Sequence, residues 1–180
     1  MQTGYLRADS ARLHHWMSRL AALGPGLKVG ISWFGGAAST RGADRSTRLA
    51  EWSPILRQSA CHFVNLQYGN SGDELREISR EHGIVIHDWR DAIENYDETA
   101  ALLQALDLVV SVQTALVHLA GALGKPTWVM LPAACEWRYG EDGESMPWYP
   151  ALRLVRQSRA GDWQPVIARI ARDLSLLAQR

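Results

Sequence analysis

The residues able to do chemistry gather where strand patterns give way to helix patterns. The run Ser111-Val112-Gln113-Thr114-Ala115-Leu116-Val117-His118 passes from an apolar strand to a helix with almost no loop. A helix opening there presents its first N–H groups and the positive end of its dipole beyond the strand, an arrangement that suits a phosphate. Thr114 can cap or donate a hydroxyl, and small Ala115 lets an anion approach the backbone. His118 falls one turn on, on the same face. A capped core helix with a hydrogen-bonded histidine would carry the same residues, so both readings stay open at this point.

A long polar loop, Phe34 to Arg48, follows the first strand pattern and holds Arg41, Arg45 and Arg48 among Ser39, Thr40 and Thr47. Guanidinium forks suit phosphate oxygens, while solvated arginines are the commoner outcome in such loops. Its length and its place after a strand raise the functional share. The loop matches neither a Walker A sequence nor GxGxxG, which disfavours a P-loop NTPase and a standard dinucleotide dehydrogenase. A second long loop, Pro132 to Pro150, mixes Trp137, Tyr139, Trp148 and Tyr149 with Glu136 and Arg138. It suits a base or sugar ring, or a loop folding over itself. Packing is favoured for Trp148 and Tyr149, and Glu136 to Arg138 are left open. No paired carboxylates, metal cluster or nucleophile with an adjacent base stands out, and Asp88 and Asp91 read as turn residues. The pattern is that of a binding half rather than a complete active site.

The elements that must position these residues alternate. The sequence predicts helices over Asp9 to Leu23, Leu49 to Ser59, Asp73 to His82, Asp97 to Leu106, Thr114 to Leu123 and Asp162 to Leu177. On the first, Leu13, Trp16, Met17 and Leu20 share a face. Strands are predicted over Leu27 to Trp33, Cys61 to Gln67, Ile84 to His87, Asp107 to Val112, Thr127 to Leu131 and Leu152 to Val155. Strands alternating with helices imply parallel crossovers and a sheet covered on both faces. The expected architecture is α/β, a single doubly wound, mainly parallel, Rossmann-like sheet. Ligands in such sheets bind beyond the carboxyl ends of the strands, which points to the loops after Trp33, Gln67, His87, Val112 and Leu131.

Composition bounds the function. With 180 residues the chain suits one domain, and 47% hydrophobic with 21% charged residues is ordinary globular composition. Nineteen Lys+Arg balance nineteen Asp+Glu, whereas a general nucleic-acid binder would show a basic excess. Any bound anion must be held by a local cluster. Cys61 and Cys135 fit neither a zinc pattern nor a disulfide framework and are expected to be small buried hydrophobes. No apolar leader or membrane span is read in the chain, and a reducing cytoplasmic location is expected.

The segment SVQTALVHLAGALGKPTWVMLP, followed by EWRYG and MPWYPALRLVRQ, resembles the C-terminal half of bacterial glycosyltransferase family 9-like proteins. These are relatives of the ADP-heptose–lipopolysaccharide heptosyltransferases, and the nearest look-alikes are fused to tetratricopeptide repeats. GISWFGG with the Arg-rich loop, and FVNLQYG with the acidic helix after it, match the same half in order. The resemblance runs from about Tyr5 to the end. It implies one half of a GT-B fold, with residues 1–26 as a connector helix and 27–180 as the nucleotide-sugar-binding domain.

The implied activity is metal-independent, inverting glycosyl transfer. The nucleotide-diphosphate sugar is the substrate, no cofactor is needed, and the acceptor is a glycan or protein. By the same resemblance Gln113, Thr114 and Ala115 would meet the diphosphate with His118 supporting the turn. Ser32, Thr40, Arg45 and Arg48 would meet phosphates or sugar, and Gln67, Gly69 and Glu74 would lie near base or ribose. The family's acceptor-binding N-terminal domain, which usually brings the catalytic carboxylate, is expected to be missing, so the isolated chain is expected to be inactive. Many relatives carry Asp at the place of Gln113. The alternatives are a non-enzymatic nucleotide-binding or protein-interaction module and, more weakly, half of a sugar-nucleotide epimerase.

Overall fold

The structure, a computed structural model, describes residues 4–35 and 42–179. Helix α1, Ser10–Ala21, starts where the Asp9 carboxylate accepts the backbone N–H of Arg12 at 2.9 Å. Its buried stripe is narrower than expected. Trp16 and Leu20 are buried, whereas Met17 is 52% exposed. Strand β1, Leu27–Ser32, and strand β2, Cys61–Asn65, enclose the polar loop and a split helical segment. That segment is a 3-10 turn, Leu49–Trp52, running into the short α2, Ser53–Leu56, with Pro54 in its first turn. Pro54 has no N–H to donate and is accommodated only there, so one helix over Leu49 to Ser59 does not form.

Helix α3, Gly72–His82, is closed by Gly83 at φ +65°, a left-handed position that glycine adopts without strain. Strand β3, Ile86–His87, leads into a four-residue α4, Arg90–Ile93, and then α5, Tyr96–Ala105. Asn95 caps α5, its side chain accepting from the N–H groups of Asp97 and Glu98. Strand β4, Leu108–Val112, is buried at every position and gives way to α6, Ala115–Ala122. Strands β5, Thr127–Leu131, and β6, Leu152–Arg156, and helix α7, Gln164–Ala178, complete the chain.

The strands form one six-stranded sheet in the order β3-β2-β1-β4-β5-β6, every pair parallel. This is the expected doubly wound α/β sheet. One face carries Trp16 and Leu20 of α1 with Leu102 and Leu103 of α5 against Val64 and Val109. The opposite face carries Ile55 of α2, Ile78 of α3 and Ile167 and Ile170 of α7 against Val29, Ile31 and Val110. Burial on both faces is why these strands read as continuous apolar runs. Cys61 and Cys135 are only half-buried, and burial pushes the Cys61 thiol up to about 11. No helix among the described residues is long and apolar enough to cross a membrane. The strand order reverses between β1 and β4, so the loops leaving their carboxyl ends splay apart and open a crevice.

Candidate functional site

A cavity of about 850 Å³ occupies that crevice. Its floor is the junction of β4 with α6, and its walls come from the segments after β1 and β2, from α4 and α5, and from the loop after β5. Thr114 stands at the N-cap position just before α6, and its side chain does not cap the helix. The Thr114 hydroxyl instead lies 3.3 Å from Ser111 Oγ. First-turn N–H groups, which have no partner within a helix, are therefore left without a side-chain cap. Ala115 is exposed and lines the cavity, so nothing bulky covers them. Close approach is built in on the opposite wall. A Cβ on Gly35 would sit 2.5 Å from Thr114 Cγ2, so only glycine lets the loop after β1 run this near to α6.

Of the residues singled out in the sequence, Ser32, Arg45, Gln67, Gln113, Thr114, Ala115 and His118 come together around this cavity. Thr40 lies outside the described residues, as do Ser39 and Arg41. Arg48, Gly69 and Glu74 are not part of the lining. The Arg48 side chain is 82% exposed and pairs with Glu51 at 3.9 Å. Gly69 turns the chain at φ +91° with open space around it. The Glu74 carboxylate accepts Trp33 Nε1–H at 2.8 Å and the Leu49 N–H at 3.0 Å, tying α3 to the loop after β1.

Gln67 lines the cavity, but its amide is committed to backbone. Its Oε1 accepts from the N–H groups of Trp33 at 2.9 Å and Phe34 at 3.0 Å and from Ser32 Oγ at 3.1 Å. Its Nε2 donates to the Phe34 carbonyl at 2.9 Å. The side chain thus fixes how the polar loop leaves β1. Thr47 fixes the loop's return, donating its hydroxyl to the Trp33 carbonyl at 2.7 Å while accepting Trp52 Nε1–H at 2.7 Å.

The electrostatics centre on Arg45 and Glu136, which join the two long loops. Arg45 Nη1 lies 3.3 Å from Glu136 Oε1, and its Nε donates to the Gly35 carbonyl at 3.3 Å. Glu136 also accepts from Arg138 at 3.1 Å. The His118 ring is wedged against Tyr139 and Tyr149, with centroids 6.0 and 5.8 Å away. Burial and then the Arg138 charge lower its pKa, so the imidazole is neutral at neutral pH. Burial, and next the neighbouring Glu136 carboxylate, raise the Tyr139 phenol well above its usual range. Trp148 is 60% exposed and meets Trp137 edge to face, while Tyr149 packs against α6 as expected.

The wall opposite α6, including Ile93, Glu94, Tyr96 and Thr99, was not singled out in the sequence. Tyr68 could have been, because it follows β2 at the ligand edge of the sheet. A shallower hollow of about 460 Å³ lies around the start of β2 and includes His62, His82 and His87. Among the described residues no group of three or more His, Cys, Asp or Glu side chains could hold a metal ion.

Residues 95–170, which run from the start of α5 into the first half of α7 and contain the α6 floor of the cavity, match the sequence model of glycosyltransferase family 9 (heptosyltransferase). Protein FlbA of Caulobacter vibrioides is 35% identical over 174 residues, 94% of this chain and 28% of FlbA. The E. coli ADP-heptose lps heptosyltransferase II structure superposes with a TM-score of 0.65 at 15% identity, over 97% of this chain and 54% of that one. A family 9 glycosyl transferase from Veillonella parvula DSM 2008 gives 0.64 at 10% identity, over 98% of this chain and 55% of that one. The chain thus spans about half the length of these two structures and little more than a quarter of FlbA. The comparisons establish a glycosyltransferase family 9 match across residues 95–170 and, over nearly the whole chain, the fold of heptosyltransferase structures.

Proposed function

We propose that the chain is the donor-binding half of a metal-independent, inverting glycosyltransferase and holds a nucleotide-diphosphate sugar in the crevice between β1 and β4. The observation that carries this reading is the uncapped start of α6, opening into a cavity of about 850 Å³ inside the segment that matches family 9. The diphosphate lies against the first turn of α6, with the Arg45 guanidinium as its fixed cation. Charge building up on the leaving diphosphate during transfer is stabilised by these preorganised groups. Base and ribose lie toward Tyr68, Ile93 and Tyr96, where the wall is apolar and aromatic.

The acceptor and the general base belong, in this reading, to a second lobe outside this chain, with α1 as the link toward it. Positioning both substrates together is what catalysis needs. The isolated chain therefore binds donor and transfers nothing. A thermal-shift series with UDP, ADP and GDP tests the binding. A specific ligand at a hundredfold excess over its Kd raises stability by roughly 2.7 kcal/mol. A shift with at least one of the three supports the reading, and no shift with any of them refutes it. Turnover of a nucleotide sugar by this chain alone would refute the half-site.

A further inference from the structure

Two buried polar atoms with no hydrogen-bond partner belong to residues lining this same cavity. Gln113 is 3% exposed, and its Oε1 is unpaired. Tyr139 is 1% exposed, and its hydroxyl is unpaired. Among the described residues one other buried side-chain atom shares this condition, Nε2 of Gln157, and Gln157 is not part of the cavity. Buried polar atoms are nearly always paired in folded proteins, so two such atoms at one cavity point to groups that a ligand supplies.

The donor and acceptor inventory limits what that ligand group is. An amide oxygen only accepts, and a phosphate oxygen also only accepts, so a diphosphate leaves Gln113 Oε1 unpaired. An ammonium only donates and offers no lone pair to the Tyr139 proton. A hydroxyl does both, donating to Gln113 Oε1 and accepting the Tyr139 proton. His118 lies 6.0 Å from Tyr139 ring to ring, and with its pKa lowered by burial its imidazole brings one donor and one acceptor nitrogen to the cavity.

We propose that Gln113 and Tyr139 recognise hydroxyl groups of the donor's sugar ring, while the diphosphate is held by the start of α6 and Arg45. This rests on the donor-site reading above and moves Gln113 from the diphosphate to the sugar. Specificity for the transferred group then resides in neutral side chains, Gln113 at the cavity floor and Tyr139 on its wall. Affinity for the nucleotide resides in the helix terminus and the guanidinium.

The test is calorimetric titration of the intact chain with three matched pairs: UDP and UDP-glucose, ADP and ADP-glucose, GDP and GDP-mannose. For the nucleotide that binds, the sugar-bearing form binds more tightly than the bare diphosphate. Tyr139→Phe and Gln113→Met each weaken the sugar-bearing form about five- to tenfold, the size of one lost hydrogen bond. Each leaves the bare diphosphate within twofold of wild type. Tyr139→Phe removes only the unpaired hydroxyl, so its melting temperature is unchanged or raised. Equal weakening of both forms, no weakening of either, or a drop in melting temperature of Tyr139→Phe would overturn the inference. If the bare diphosphate binds and the sugar adds nothing in the wild type, the donor-phosphate site stands and the sugar assignment falls. If neither form of any pair binds, both readings fall together.

Discussion

Replacing Ala115 with Glu places a negative charge at the first position of α6, where the diphosphate belongs. Ala115 is exposed and lines the cavity, so the larger side chain meets no packed neighbours and the overpacking loss of a buried site does not arise. A carboxylate at a helix N-terminus is favourable by about 0.3–1 kcal/mol, so stability holds or rises slightly. Binding behaves oppositely. Two like charges about 4 Å apart repel by about 4 kcal/mol at an effective dielectric of about 20, and roughly half of that survives the solvent at an exposed site. A penalty of about 2 kcal/mol is close to a thirtyfold loss of affinity for a nucleoside diphosphate. Ala115→Gln adds similar volume without charge and separates the two effects. Thermal unfolding and calorimetric titration of both variants form the assay. If Ala115→Glu unfolds well below wild type, or binds as tightly as wild type, the start of α6 is not the anion site.

Arg45→Ala should weaken nucleoside-diphosphate binding by about 1.5–3 kcal/mol, the worth of a charge-assisted hydrogen bond, and Arg48→Ala by much less. The reverse ranking in titrations would move the phosphate clamp toward Arg48, as the sequence also allowed. Glu74→Ala leaves two buried donors, Trp33 Nε1–H and the Leu49 N–H, without their acceptor. Denaturant melts should show a loss of at least about 2 kcal/mol while the folded fraction binds nucleotide normally. Unchanged stability with lost binding would instead support a ribose contact. His87 and His118 both have lowered pKa values, each mainly through burial. The unfolded chain therefore binds protons at these sites first, so stability is complete above pH 6.5 and falls as pH drops below it. Melting temperatures of wild type should decline between pH 6.5 and 5, and those of His87→Gln/His118→Gln should decline less. An equal decline in both would contradict the assignment.

The strands were legible because their burial leaves a simple mark. Leu108–Val112 is buried at all positions and reads as one apolar run. The helix boundaries that shifted did so for local reasons. Pro54 divides the segment after Arg48, and α4 has four residues, too few for a periodic pattern to register. Asn95 caps α5 two residues before Asp97, where the sequence reading begins the helix. The α6 floor of the cavity was visible because strand, turn and helix are contiguous in sequence. The rest depends on contacts between distant residues. Arg45 meets Glu136 from 91 positions away, and Glu74 is drawn to Trp33 from 41 positions away. Gln67 is spent on tying the backbone that leaves β1, which nothing in its own neighbourhood announces. Ile93, Tyr96 and Thr99 reach the cavity only because α4 and α5 fold across the sheet edge.

The central claim is that a nucleoside diphosphate lies on the first turn of α6. At 20.1 kDa the chain suits residue-by-residue amide NMR, which locates a bound ligand directly. Titration with UDP, ADP and GDP in turn, with assigned backbone amides, should give saturable shifts for at least one of them. The largest should fall at Thr114 to Val117, at Gly35 and at Arg45. Shifts centred instead on the histidine-lined hollow around His62 and His87, or no saturable shift with any of the three, would contradict the account.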